Sequence, residues 1–505
     1  MNKGGFRMRY EKIMLSKNQL DYYQLFEKIT KLPKRDYSLR QLAHLTGFSY
    51  AKVKYTLERI AEIVQLIDPE QAALFRQGKN LAVEQITISL NTFRGVLLKE
   101  QSIPFQFLLW LVKEESHEVA DFLTENFISF STLSRNIREL QNYFKHYGIQ
   151  LSLASGTLES NDELLLRQSL LYLFWMGTQG DPALLAPYTI DESLLPKLLA
   201  YVPPEHRYVS EKLYRLKLII QYFRLKGKHY HLETHRVQRL VEDNPLYDLS
   251  LCQHNPLIPK KFIAKESGGL LMSSLISPGF TTESALVEKH QLVLSKKLPT
   301  LNELVEAFLV YFERQIFKKS IAPKKRQVLQ LNLLQAGAGI WAFQGSFPNL
   351  HYFLVQENRL NPASVHYEEE IRHFFRSTKD SKFLQYREYF PTFEKSFGHI
   401  LKATYMEEML WTKLRVAIAI EPNSILQEKL QLVIGAIYFV HYEPFLPEEA
   451  NQYDLVITSM ATFPQDFPDV PYLLWNIVTP DEELPYLFYT LRDLYYLRNE
   501  RLHFM

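Results

Sequence analysis

The chain carries one cysteine, Cys252, in 505 residues, which rules out an internal disulfide and any metal cluster built from thiolates. Glycine is scarce too: 18 residues leave little room for flexible or low-complexity linkers, so a nearly continuous run of packed modules is expected. No stretch reaches the roughly 18 uninterrupted apolar residues of a membrane span. Met1 to Leu20 is polar and basic with no apolar centre, so no signal peptide and no membrane association are expected, and the expected location is the cytoplasm. A phosphate-binding glycine loop, HExxH and GxSxG are missing, so no enzymatic activity, cofactor or metal is expected.

What is present is the material of several folded domains. The chain exceeds what one hydrophobic core usually supports, and its 46% hydrophobic and 13% aromatic content is that of packed domains of roughly 100 residues each. The net charge of +2 conceals an uneven distribution. From Lys31 to Ile60 seven basic residues face only Asp36 and Glu58, a local charge of +5; from Leu430 to Leu491 there is no Lys or Arg, and nine carboxylates between Glu443 and Glu483 give −9. DNA phosphates attract the first segment and repel the second.

Two stretches share one skeleton. Ser49-x3-Val53-x3-Leu57-x2-Ile60 and Ser129-x3-Leu133-x3-Ile137-x2-Leu140 each set a serine able to cap a helix before apolar positions at helical spacing. Upstream of the first, Ser38 to Ser49 reads as a capped short helix, a glycine turn and the start of another helix. Ala43 is small enough for a close crossing, and Gly47 permits the tight turn. An ordinary surface helix has the same periodicity; the local charge and turn chemistry favour a helix-turn-helix. The outward residues Ser49, Tyr50, Lys52, Lys54 and Arg59 are then the candidate DNA contacts. Residues Leu81 to Leu90 alternate as a short strand or wing. Helices are expected over Pro104 to Lys113 and His117 to Thr124, then a recognition helix over Ser131 to Tyr147. Its candidate contacts are Ser131, Thr132, Arg135, Asn136, Arg138 and Lys145, because Arg bridges guanine and Asn adenine in the major groove. Ile149 to Leu153, a turn at Ala154-Ser155-Gly156, and Thr157 to Glu159 predict a wing hairpin.

From Asp162 to His399 the pattern is helical, with one Gly/Ser/Pro-containing break over Ser267 to Thr282, so two helical bundles are expected. The last hundred residues alternate strands (Leu414 to Ile420, Tyr438 to Val440, Asp454 to Thr458, Tyr472 to Val478) with helices (Ser424 to Ile437, Pro480 to Arg498), the pattern of a covered parallel sheet.

This order of modules resembles the Mga/AtxA family of virulence regulators of Gram-positive bacteria. The resemblance implies a multidomain, mainly α fold: winged helix-turn-helix modules at 1–80 and 81–160, two helical phosphotransferase-system regulation domains (PRDs) at 161–282 and 283–402, and an α/β domain similar to a sugar-permease EIIB component at 403–505. It implies a DNA-binding transcriptional activator whose PRD histidines are phosphorylated by the sugar-uptake phosphorelay. The implied partners are promoter DNA, a second copy of the chain, phosphocarrier proteins and RNA polymerase. A phosphohistidine needs an accessible ring beside positive charge, which singles out His206 and His235 in the first bundle and His366 and His399 in the second, with His229, His231, His351 and His373 as competitors. The spacing His229-x-His231-x3-His235 lacks carboxylate or thiolate partners for a metal. One departure matters: where a cysteine-type EIIB carries its phosphorylated cysteine, this chain reads Glu421-Pro422-Asn423-Ser424, so the last domain is expected to bind partners or dimerise, its surplus aromatics supplying the surface. The reading from another class is an adaptor that binds no DNA and docks a transport component.

Overall fold

A computed structural model describes residues 10–76, 80–113, 118–231, 234–350, 353, 362–408, 413–421, 424–475 and 480–504, with the backbone alone at 273, 362–366, 406–408, 424–427, 429, 480–483, 485 and 499–504. It is mainly helical, with a small parallel sheet near the carboxyl end. Two compact units divide the chain: Met1–Val310 with Ile321–Gln356 and Thr378–Ile400, and Tyr311–Ser320 with Glu357–Ser377 and Leu401–Met505. Among the described residues no helix is long and apolar enough to cross a membrane.

In the first unit both serine-led skeletons fold as their spacing requires. Val53, Leu57, Ile60, Leu133, Ile137 and Leu140 are all buried, while Ser49 accepts the backbone N–H of Lys52 at 3.2 Å and Ser129 that of Thr132 at 3.2 Å. The wing expected over Leu81 to Leu90 is displaced. Its strand is Asn80–Ala82, paired antiparallel with Asp36–Ser38, and Val83–Gln85 turns away as a 3₁₀ segment, so the alternation at Ile86 and Ile88 reflects burial outside a sheet. The second hairpin forms where expected, Gln150–Ser152 against Thr157–Glu159 with Leu151 opposite Leu158.

The expected break at Ser267 to Thr282 is mostly helix, Ile263–Ile276. Glycine serves close packing there, not flexibility: a Cβ on Gly269 would lie 3.3 Å from the His231 ring and 3.6 Å from Leu164. The same helix carries Glu266, centre of a buried ionic cluster. Arg167, on helix Glu163–Thr178, reaches Glu266 at 2.6 and 3.1 Å and Glu163 at 3.0 Å. Arg224, on helix Arg207–Lys226, grips both oxygens of Glu163 at 2.8 Å. Gln221 Nε2 and the His231 backbone N–H complete the shell of Glu266 at 2.8 and 2.7 Å. Burial disfavours the charge on both glutamates, but the guanidiniums outweigh it and hold both carboxyls below the usual range.

In the second unit four parallel strands run in the order Val440–Pro444, Leu414–Ala419, Leu455–Thr458, Tyr472–Leu474. Leu430, Ile434, Leu487 and Leu491 pack with Leu414, Val416 and Ile418, whereas Phe463, Val470 and Tyr453 pack with Ala417 and Val456, so both faces are covered. The strand expected at Tyr438 to Val440 begins only at Val440, since the preceding residues form the turn out of helix Ser424–Gly435. The acidic stretch is less isolated than its sequence implies. Arg415 and Arg498, flanking it, pair with Glu443, Glu449 and Asp454.

Two histidines of the first unit, His231 and His290, are buried with no hydrogen-bond partner on either ring nitrogen among the described residues. Burial pulls each pKa down to about 4, with Arg167 adding repulsion at His231. In the unfolded chain such rings titrate near ~6.5, so between about pH 6.5 and 4 the unfolded state holds more protons, and stability falls as pH falls. Each ring contributes at most about 1.4 kcal/mol per pH unit in that window. The two glutamates act only lower, through the carboxylate range. Urea unfolding at pH 7 and pH 5 should therefore show an acid loss that His290→Leu reduces; an unchanged loss would mean that the ring is protonated when folded.

Candidate nucleic-acid interface

Each skeleton helix is the second of a pair. In the first pair, helix Leu39–Thr46 starts on a capping box in which the Ser38 backbone N–H donates to Gln41 Oε1 at 2.8 Å and Ser38 Oγ accepts from the Gln41 N–H at 3.3 Å. It ends at Gly47, whose φ of 71° is the left-handed turn that launches helix Tyr50–Gln65. In the second pair, helix Val119–Glu125 leads through Asn126 to Ile128 into helix Phe130–Asn136. Here the left-handed residue is Phe127, with φ 51° and 95% of its surface exposed. A bulky side chain at positive φ is rare, and nothing buries this one. Sequence reasoning missed it, along with its half-exposed neighbour Phe130, because the Gly47 turn supplied the template.

The expected continuous helix from Ser131 to Tyr147 is two pieces, Phe130–Asn136 and Arg138–His146, hinged at Ile137 with φ −89° and ψ 2°. Ile137 is fully buried, so the kink keeps Leu133, Ile137 and Leu140 on one inward face. Arg135 and Arg138, one on each side of the kink, are exposed and make no ion pair among the described residues, and Lys145 is exposed farther along. Thr132 and Asn136 are half-buried. The Ser131 and Thr132 hydroxyls turn to Ser129 Oγ at 2.9 and 3.0 Å, and Asn136 Nδ2 donates to the Thr132 carbonyl at 2.8 Å, so these three side chains are engaged with their own helix.

The first pair differs in its electrostatics. Lys52 reaches Asp21 at 2.8 Å and sits 4.0 Å from the Phe48 ring centre, while Arg59 holds both oxygens of Glu62 at 2.7 and 2.8 Å and lies over Tyr55. Of the three cations on that helix only Lys54 lacks an ion pair among the described residues; Ser49 and Tyr50 are exposed at its start. An exposed ion pair is worth about 0 to 1 kcal/mol, so phosphates can displace it, but part of the +5 is spent within the fold.

The histidines separate by environment. His206 is half-buried between Pro204 and Arg207, its Nε2 3.4 Å from Thr281 Oγ1. His235 is exposed as the first residue of helix His235–Val241. His399 is half-buried and His373 exposed. His366 lies on helix Pro362–Ser377 with its side chain outside the described residues, as are His351 and, in the loop after the first parallel strand, Pro422 and Asn423. His229 and His235 are exposed while His231 points into the core, so the three do not converge as a metal site would require.

A capped helix, a left-handed turn, a second helix presenting two unpaired arginines and a following hairpin define a DNA-binding transcription regulator once set beside known families: residues 87–174 match the Mga helix-turn-helix domain. The match covers this helix-turn-helix segment and not the rest of the chain. The matched segment runs through the hairpin and into helix Glu163–Thr178, which holds the buried ionic cluster. No curated protein matches the chain.

Replacing Arg135 and Arg138 together by Ala removes two exposed charges that pair with no carboxylate among the described residues. If each makes a base or phosphate contact worth roughly 1 to 3 kcal/mol, affinity for target DNA falls at least tenfold with an unchanged melting temperature. Fluorescence anisotropy would read it, and equal affinity of the double variant and wild type would exclude this helix as the reader.

Proposed function

We propose that the chain is a promoter-binding transcriptional activator regulated by phosphorylation. The observation that carries this is the pair of exposed, unpaired arginines on the second helix of the Mga-type segment. Arg135, Arg138 and Lys145 make the primary contacts, with Ser131, Thr132 and Asn136 released from their helix bonds when DNA competes. Lys54, Ser49 and Tyr50 of the first pair add phosphate contacts, joined by Lys52 and Arg59 once their carboxylate partners yield.

The five segments expected from sequence carry the rest of the reading: two DNA-binding modules, two PRDs and an EIIB-like domain that recruits partners without carrying phosphate. His206 is the favoured phosphate acceptor, since its ring is reachable, adjoins Arg207 and bridges toward Thr281, so an added dianion would rearrange that contact. Self-association uses the last domain, where Tyr438, Tyr486, Phe488 and Tyr489 are exposed and Phe439 and Phe488 lie 6.3 Å apart. A symmetric dimer presents paired readers to one promoter and its activating surface to RNA polymerase.

Protein purified from cells with intact and disabled phosphorelays tests the switch and the assembly together. Mass spectrometry under non-acidic conditions should find phosphate on His206 only in the first, and His206→Asp should differ from His206→Ala in promoter-reporter output. In sedimentation runs, Tyr486→Glu with Tyr489→Glu should shift dimer toward monomer. Identical reporter output from both His206 variants would move the switch elsewhere, and an undisturbed dimer would move the interface off this patch.

A further inference from the structure

A cavity of about 650 Å³ opens in the first unit between helices Glu163–Thr178 and Arg207–Lys226 and the chain from Ser274 to Thr281. That volume lies in the range of small-molecule sites. Leu171, Leu213 and Phe280 give it apolar walls, and Asn332 pins one side by exchanging hydrogen bonds with the Phe280 backbone at 3.2 and 2.8 Å.

One wall group is out of place. Four cations are buried among the described residues: Arg94, Arg167, Lys217 and Arg224. Arg94 pairs with Glu11 at 3.1 Å, Arg167 with Glu163 and Glu266, and Arg224 with Glu163. Lys217 meets no carboxylate among the described residues. It lines the cavity, is 8% exposed, and its ammonium donates one hydrogen bond, to the Leu270 carbonyl at 2.9 Å, out of three it can make. Burial and the like charge of Arg167 pull its pKa down to about 7. A buried amine without a counter-charge is costly unless something supplies one.

We propose that this cavity binds a small amphipathic molecule bearing a single carboxylate, the carboxylate on the Lys217 ammonium and the apolar body against Leu171, Leu213 and Phe280. A monoanion fits better than a phosphate dianion because Lys217 is the one Lys or Arg among the described residues lining the cavity, the other basic group there being the His206 imidazole at its Thr281 edge. Arg167, whose charge acts on Lys217, commits Nε, Nη1 and Nη2 to Glu163, Glu266 and the His229 carbonyl. The site is independent of the DNA-contact reading but shares its His206 and Thr281 wall with the proposed switch, so binding is measured without DNA on unphosphorylated protein.

Octanoate, octanol and octylamine share one apolar body and differ in charge, so calorimetric titration of the full chain with each decides the point. Octanoate should bind saturably at one site, about tenfold or more tighter than octanol, with octylamine weakest. Lys217→Met should remove the advantage of octanoate over octanol. Ser210→Trp, which fills the cavity and leaves Lys217 in place, should abolish binding of both. Ligand-free melting curves show that the variants are folded, and the three-ligand comparison on the unmodified protein stands even where a variant is not. Octanoate that binds no better than octylamine, or that binds Lys217→Met as tightly as the unmodified chain, overturns the proposal.

Discussion

The buried chain of charges Arg224, Glu163, Arg167 and Glu266 is the constraint on which the first unit depends. Two guanidiniums and two carboxylates cancel, so the cluster adds no net charge to the core, yet removing any one member strands its partner at a cost of about 3 to 5 kcal/mol. Its value therefore lies in register. Arg167 and Glu163 come from helix Glu163–Thr178, Arg224 and Gln221 from Arg207–Lys226, and Glu266 from Ile263–Ile276, and only one relative placement of these helices satisfies all of them. Arg224 also donates toward the Leu158 carbonyl in the second strand of the hairpin at 3.4 Å. The Mga-type segment and the helices after it are thus joined by ionic hydrogen bonds within one unit. The cavity shares two of those helices, and Lys217 stands one turn from Gln221.

Much of this was legible where the physics is local. The spacing of Val53, Leu57 and Ile60, and of Leu133, Ile137 and Leu140, needs only helical periodicity and a serine cap, and every one of those side chains is buried. Parallel strands in the last domain followed in the same way from apolar runs separated by helical segments. What depended on distant partners was hidden. Gly268 and Gly269 looked like a linker because composition cannot distinguish flexibility from a close approach to the His231 ring. The acidic stretch looked unpaired because Arg415 and Arg498 lie outside it, and the first helix looked more basic than it is because Asp21 belongs to another helix. The cavity had no sequence signal at all, since Lys217 announces itself only by the carboxylate it does not meet.

The two helix pairs, alike in skeleton, divide by what their charges do. In the first, cations are largely engaged with the protein's own carboxylates; in the second, Arg135 and Arg138 are exposed, pair with no carboxylate among the described residues, and stand on either side of the kink at Ile137. Counterion release gives that difference a direct readout. With Arg135, Arg138 and Lys145 each neutralising a phosphate, the logarithm of the DNA-binding constant should fall against the logarithm of salt concentration with a slope of about −3 per chain or steeper. A titration of duplex promoter DNA from about 50 to 200 mM salt measures it. A slope of that size identifies a DNA reader built on this helix, whereas no binding even at low salt, or binding indifferent to salt, would contradict the account and leave an adaptor.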